Sequence, residues 1–158
     1  MSGGIKLNFN ISKAMLNEIP EINMMLTDLI QDERKNYDSN INENYKVQDF
    51  YEKLIDDDNK IILVARDSDI ILGYVYGLIQ DNGNLFNNKI AKLDALFVKE
   101  QYRGNGIARS LIREFINWAK EKEISYVELS VCKDNTNAIN LYENEGFSID
   151  KICLRKEL

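Results

Sequence analysis

Between Leu96 and Ala108 an apolar strand (Leu96-Phe97-Val98) runs into a short polar turn with two glycines, Gly104 and Gly106, and an amphipathic helix begins at once. The helical period runs from Arg103 to Lys122: Ile107, Leu111, Phe115 and Ala119 share one face, with Ala108, Ile112 and Ile116 beside them. So tight a junction leaves unpaired N–H groups at the helix start, backed by the positive end of the dipole, which is an anion site. Glycine at 104 and 106 removes the side chains that would hold a phosphate away from those amides. Local charge agrees. Lys99, Arg103, Arg109 and Arg113 face only Glu100 and Glu114, a net of +2, in a chain whose 20 basic and 26 acidic residues leave a net of −6.

Two familiar phosphate motifs do not fit. A Walker loop needs Lys-Ser/Thr after its second glycine, where this chain has Ile107-Ala108. A dinucleotide fingerprint needs a third glycine where Arg109 stands. The glycines alone fit a plain loop-helix junction equally well. The acidic balance argues against a broad nucleic-acid surface. The sequence has no histidine, which removes His-based triads, His-ligated zinc and imidazole proton shuttles, and no metal is expected.

At 158 residues the chain is expected to form one domain over 1–158. Cys132 and Cys153 lack CxxC spacing and read as small buried hydrophobes in a reducing compartment. Met1-Ser2-Gly3-Gly4 carries no leader pattern, and no window reaches 18 uncharged apolar residues. The expectation is a cytoplasmic protein with no membrane and no nucleic-acid partner.

Alternation predicts a strand over Ile5–Ile11. Ser12 is placed to cap a short helix, and Pro20 suits the first turn of a second, whose face carries Ile22, Met25, Leu26, Leu29 and Ile30. Residues 36–45 form an Asn-rich loop, and Val47–Ile55 reads as a third helix. Ile61–Ala65 and Ile70–Ile79 form a hairpin, Asp81–Asn84 a turn, and Ile90–Val98 a strand. After the glycine turn and its helix come a strand over Ser125–Val131, a helix over Asn137–Glu145 and a closing strand over Phe147–Leu154. The order predicts an α/β (α+β) chain with a mixed sheet and helices on both faces.

A second segment adds to the glycines. From Val131 to Phe147 a strand end leads into Asn135-x-x-Ala138-x-x-Leu141-Tyr142 and then Gly146-Phe147. Asn135 can cap that helix and Gly146 can end it. Taken alone, Tyr142 fits a half-buried aromatic with a solvated hydroxyl better than a functional group. Together with Gln101-x-x-Gly104-x-Gly106, this segment closely resembles the GNAT superfamily of acetyl-CoA-dependent N-acetyltransferases. The resemblance covers residues 90–150, with acceptor-side elements expected over residues 12–58.

The resemblance implies a mostly antiparallel mixed sheet with a splay between two parallel strands, Ile90–Val98 and Ser125–Val131, where acetyl-CoA is held. It implies that the backbone of Leu96 and Val98 pairs with the pantetheine arm, and that a kink or bulge at Leu96–Phe97 frees an amide for the thioester oxyanion. The loop Arg103, Gly104, Asn105, Gly106, Ile107, Ala108 and Arg109 would hold the diphosphate, with Gln101 before it; Asn135 would bond the arm from the other side, beside Ala138. An amine would attack the thioester directly, CoA would leave as the thiolate, and Tyr142 would stand beside that thiolate as proton donor. A phenol near 10 is a weaker acid than a thiol near 8.5 by roughly 1.5 pK units, about 2 kcal/mol, so hydrogen bonding fits better than full transfer.

Asp94 matches the family's base for an incoming ammonium and is expected on the face of Leu96 and Val98. The alternative is a strand-edge polar residue with the proton leaving along water. The acceptor would be an amine of a small molecule or peptide. The net of −6 over residues 28–58 points to a cationic one, or to solvated helix faces. A homodimer is an open assembly. The second functional reading is a non-catalytic acyl-CoA-binding regulatory domain, to which Tyr142 and Asp94 would be superfluous.

Overall fold

The computed structural model describes residues 6–158. A five-stranded sheet runs in chain order: β1 (Asn10–Lys13), β2 (Lys60–Asp67), β3 (Ile70–Ile79), β4 (Ile90–Val98) and β5 (Tyr126–Glu128). The first four pair antiparallel and β4–β5 is parallel, so the sheet is mixed. Three α-helices cross it: α1 (Ile19–Asn36), α2 (Ile107–Glu121) and α3 (Thr136–Asn144).

Pleating sorts the apolar side chains onto two faces. One core holds Leu63, Leu72, Val75, Leu93 and Val98 beneath Leu111, Ile112, Phe115 and Trp118 of α2. The other holds Ile62, Val64, Tyr74, Tyr76, Ala95 and Phe97 against Ile19, Ile22 and Met25 of α1. Pro20 sits in the first turn of α1, and Arg34 and Lys35 in its last turn complement the dipole.

Gly77 shows how closely α2 approaches the sheet. A Cβ there would lie 2.0 Å from Phe115 Cε2 and 2.9 Å from the Lys92 carbonyl oxygen. Gly77→Ala is therefore expected to destabilise the fold by about 1–3 kcal/mol. The urea midpoint should fall at unchanged m; an unchanged midpoint would show that the ring moves aside freely.

The structure corrects the edges of the expected pattern. The first strand forms over Asn10–Lys13 rather than Ile5–Ile11, and Ile5 lies outside the described residues. Asn10 pairs with Arg66, one residue short of the end of β2, so residues before Phe9 run past that end; Leu7, Phe9 and Ile11 pack on the α2-side core. Ser12 lies in β1, and the turn at Leu16–Glu18 is closed by Glu18, whose carboxylate accepts from Met15 N at 2.8 Å. The same carboxylate pairs with Arg66 (Nε to Oε1, 2.5 Å), which holds it below the usual carboxylate range.

The helix expected over Val47–Ile55 shrinks to a 3-10 turn at Tyr51–Lys53. Asp49 has φ +48°, which no right-handed helix accommodates, and Val47 N is taken by the Thr27 hydroxyl. The strand expected over Ser125–Val131 is only β5, and Phe147–Leu154 forms no strand. Ile149, Ile152 and Leu154 are at least 80% exposed, so their alternation finds no partner, and the tail is tied down by Lys151–Glu128 and Arg155–Asp38 ion pairs. The cysteines were expected to be buried, but Cys153 is exposed. Cys132 is half-buried and donates to Glu33 Oε1 at 3.3 Å, its thiol pushed up to about 11 chiefly by burial.

Candidate active site

The glycine turn is a short 3-10 segment (Glu100–Tyr102) followed by two left-handed residues, Gly104 at φ +80° and Gly106 at φ +77°. Gly106 is the N-cap of α2, so the helix starts at Ile107 rather than at Arg103. A Cβ built on either glycine meets nothing within 4 Å, so the space over the loop is open. Among the described residues, none accepts a hydrogen bond from the backbone N–H groups of residues 104–109. Asn105 Nδ2 donates to the carbonyls of Tyr102 and Arg103 and pins the loop from within. Six amides thus lack a protein partner at a helix N-terminus, a cradle whose donor set suits the oxygens of a diphosphate.

The nearby cations are largely engaged. Arg109 Nε (2.9 Å) and Arg113 Nε (2.8 Å) both reach Glu145 at the end of α3; the hydrogen bond from Arg113, and then the charge of both guanidiniums, holds that carboxylate below its usual range, and the pairs fasten α3 to α2. Lys99 pairs with Glu21 at 2.6 Å and Arg103 with Asp32 at 3.6 Å. Anion attraction at the loop is therefore carried by the amides and the dipole more than by free side-chain charge.

Strand β4 supplies the adjoining edge. Its pairing with β5 stops at Lys92–Glu128, leaving the second half of β4 without a neighbour on that side. Lys99 N bonds to Leu72 O, so alternation turns the backbone groups of Phe97 toward β3 and those of Leu96 and Val98 toward the vacated side. The two residues expected to form the arm edge share that edge, and it opens beside the cradle.

The bulge is real, but its place differs from the expectation. Leu96–Phe97 pair regularly; the extra residue is Asp94, skipped between Leu93↔Gly77 and Ala95↔Tyr76. The skip inverts the alternation, placing Leu96 and Val98 on the α2 side and Ala95 and Phe97 on the α1 side. Asp94 therefore does not share the face of Leu96 and Val98. It pairs with Lys92 at 3.0 Å on the α1 side, near Tyr51, Tyr74 and Tyr76. Burial, and next the Asp94 charge, push the Tyr76 phenol up to about 12.

Asn135 caps α3, its Oδ1 accepting from Ala138 N at 3.2 Å, which leaves its NH2 group to donate elsewhere. Tyr142, like Leu96 and Ala108, packs against the α2-side core, and it meets Phe147 edge-on at 5.8 Å. Burial pushes its phenol up to about 12. Gln101 is exposed and lines a cleft of about 460 Å³ between α1 and the loop, with Glu21, Asp28, Asp32, Phe97 and Arg103. The tyrosines around Asp94 and the cleft carboxylates were not singled out from sequence. The spacing Glu21, Asp28, Asp32, one helix face, was the available signal.

Among the described residues no group of three or more His, Cys, Asp or Glu side chains is placed to hold a metal ion. No helix among them is long and apolar enough to cross a membrane.

A mixed sheet whose single parallel pair parts beside a glycine-capped helix N-terminus defines the class: an α/β protein of acyltransferase architecture. The chain belongs to the acetyltransferase (GNAT) family, whose sequence model matches residues 24–147. It is 36% identical over 84 residues to a mouse protein named probable N-acetyltransferase family 8 member 5, covering 53% of this chain and 37% of that one. It is 27% identical over 85 residues to the spermine/spermidine N(1)-acetyltransferase of Bacillus subtilis, covering 53% of this chain and 56% of that one. In structure it resembles a predicted acetyltransferase of Clostridium acetobutylicum solved with acetyl-CoA, with a TM-score of 0.77 and 18% identity, covering 95% of this chain and 96% of that one. The alignments span only 37% and 56% of these two curated relatives' own lengths.

Proposed function

We propose that this chain, acting as one domain, transfers the acetyl group of acetyl-CoA directly to an amine, with no covalent enzyme intermediate. The observation that carries the proposal is the set of six unpaired amides at residues 104–109, bent into place by two left-handed glycines and adjoining the free edge of β4. In this reading the amides bind the diphosphate, and Leu96 and Val98 bond the pantetheine arm as an added strand. Asn135 donates to the arm through its free NH2 group. Bound acetyl-CoA supplies an acyl group activated as a thioester. The C–N bond forms as the C–S bond breaks, the ammonium proton leaves by way of Asp94, and Tyr142 donates a hydrogen bond to the departing sulfur.

The two faces divide the labour. Tyr142 and the cradle lie on the α2 side, while Asp94 faces α1, so the amine approaches from the α1 side through the gap between β4 and β5. Carboxylates along α1 favour a cationic acceptor, a class that includes the amines named for the Bacillus subtilis relative. Thiol release from acetyl-CoA across a panel of polyamines, aminoglycosides and lysine peptides tests the activity; binding with no release on any amine would support the regulatory reading instead.

Asp94→Asn is expected to slow turnover at pH 7 by about a hundredfold, within the range for general acid–base groups. The residual rate should climb with pH as free amine accumulates toward its pKa near 10. Equal rates at every pH would remove Asp94 from the mechanism.

A further inference from the structure

Arg103 stands where the cradle, the open strand edge and α1 meet. Its Nε donates to Val98 O at 2.8 Å, its Cζ lies 5.5 Å from the Phe97 ring centroid, and its Nη2 is 3.6 Å from Asp32 Oδ2 on α1. Val98 O is one of the groups that β4 turns toward the side vacated by β5, so the guanidinium covers an acceptor on the arm edge itself. A second ion pair, Lys99 to Glu21 at 2.6 Å, spans the same cleft and straps the first turn of α1 to the end of β4.

These contacts differ in strength. The Arg103–Asp32 pair is long, and both side chains are about half exposed (49% and 47%), so water screens it heavily. A diphosphate in the neighbouring cradle offers the same planar guanidinium a multiply charged partner whose tetrahedral phosphate oxygens accept two parallel hydrogen bonds. Arg103 lies one residue before Gly104, within side-chain reach of both.

We propose that Arg103 is a positioning residue that exchanges partners: it pairs with Val98 O and Asp32 until a diphosphate competes for it, and its transfer uncovers the arm edge and frees the Asp32 carboxylate toward the cleft. The proposal rests on the acetyl-CoA reading above and deepens it. Freed of Arg103, the cleft keeps the Asp28 and Asp32 carboxylates with Lys35 beside them and loses one of its cations, so a cationic amine binds more tightly after the cofactor than before it. By linkage the two ligands then favour each other's binding.

The test is a double-mutant cycle read by calorimetry with acetyl-CoA on the full chain, with melting temperatures confirming that each variant folds. Asp32→Asn removes the competing partner and should tighten acetyl-CoA binding about two- to fivefold. Arg103→Gln should weaken it, and adding Asp32→Asn in that background should change nothing further. Unchanged or weaker binding in Asp32→Asn overturns the exchange, as does tightening of equal size in the Arg103→Gln background, which would reflect only a change in bulk charge. No heat with the unaltered chain would instead overturn the acetyl-CoA reading itself, and the exchange with it.

Discussion

Gly106→Val is expected to weaken acetyl-CoA binding about a hundredfold. Two effects are at work. A β-branched residue at φ +77° pays a steric penalty of about 1–2 kcal/mol to keep the left-handed N-cap. Its side chain also projects into the open space beside the unpaired amides of Gly104 to Arg109. Hydrogen bonds to a charged acceptor contribute roughly 1.5–3 kcal/mol each, so losing one of them accounts for the weaker binding, while the strain falls on stability. Because nothing lies within 4 Å of the Gly106 Cβ position, stability should suffer only the backbone term. Calorimetry and thermal melting on one sample separate the two. A variant that melts much earlier yet binds normally would place the diphosphate away from this loop.

Tyr142→Phe is expected to lower kcat about a hundredfold at saturating amine with little change in the acetyl-CoA Kd. Burial pushes this phenol up to about 12, so proton transfer to a thiolate near 8.5 is uphill by roughly 3.5 pK units, about 5 kcal/mol. The group therefore stays protonated and acts by donating a hydrogen bond. Its elevated pKa makes the sign of the pH effect definite: the hydroxyl is neutral in both folded and unfolded chain below about 10, and its contribution to stability is lost as pH rises from 10 toward 12. No limb of the rate profile below pH 10 should belong to Tyr142. Reduced binding with unchanged turnover would make the ring a packing residue, held by its edge-on contact with Phe147.

The middle of the chain was readable because local signals there agree with the tertiary outcome. Ile70–Ile79 and Ile90–Val98 are strands with the predicted ends, and Pro20 and Asn135 stand at their helix starts. The misses occur where long-range partners decide. Alternation in Phe147–Leu154 and Ile5–Ile11 marks side chains able to share a face but cannot supply a neighbouring strand. Val47–Ile55 has a helical period, yet Asp49 turns left-handed and side chains of α1 take up the backbone donors. The site divides in the same way. Gly104, Gly106 and Asn135 act through local backbone geometry, which spacing reveals. The face of Asp94 depends on one extra residue opposite Gly77, and a single skipped pairing inverts every alternation argument beyond it. The Arg103 contacts join residues 71 positions apart in sequence to a neighbouring carbonyl, and no periodicity encodes them.

Backbone amide chemical shifts, followed while CoA is titrated into the labelled chain, address the loop's role directly. The largest changes are predicted at the N–H groups of Gly104 through Arg109, with smaller ones at Leu96 and Val98. Saturating changes confined to the opposite end of the sheet, around Asp56–Asp58 and Trp118, would contradict the assignment of the diphosphate to this helix start.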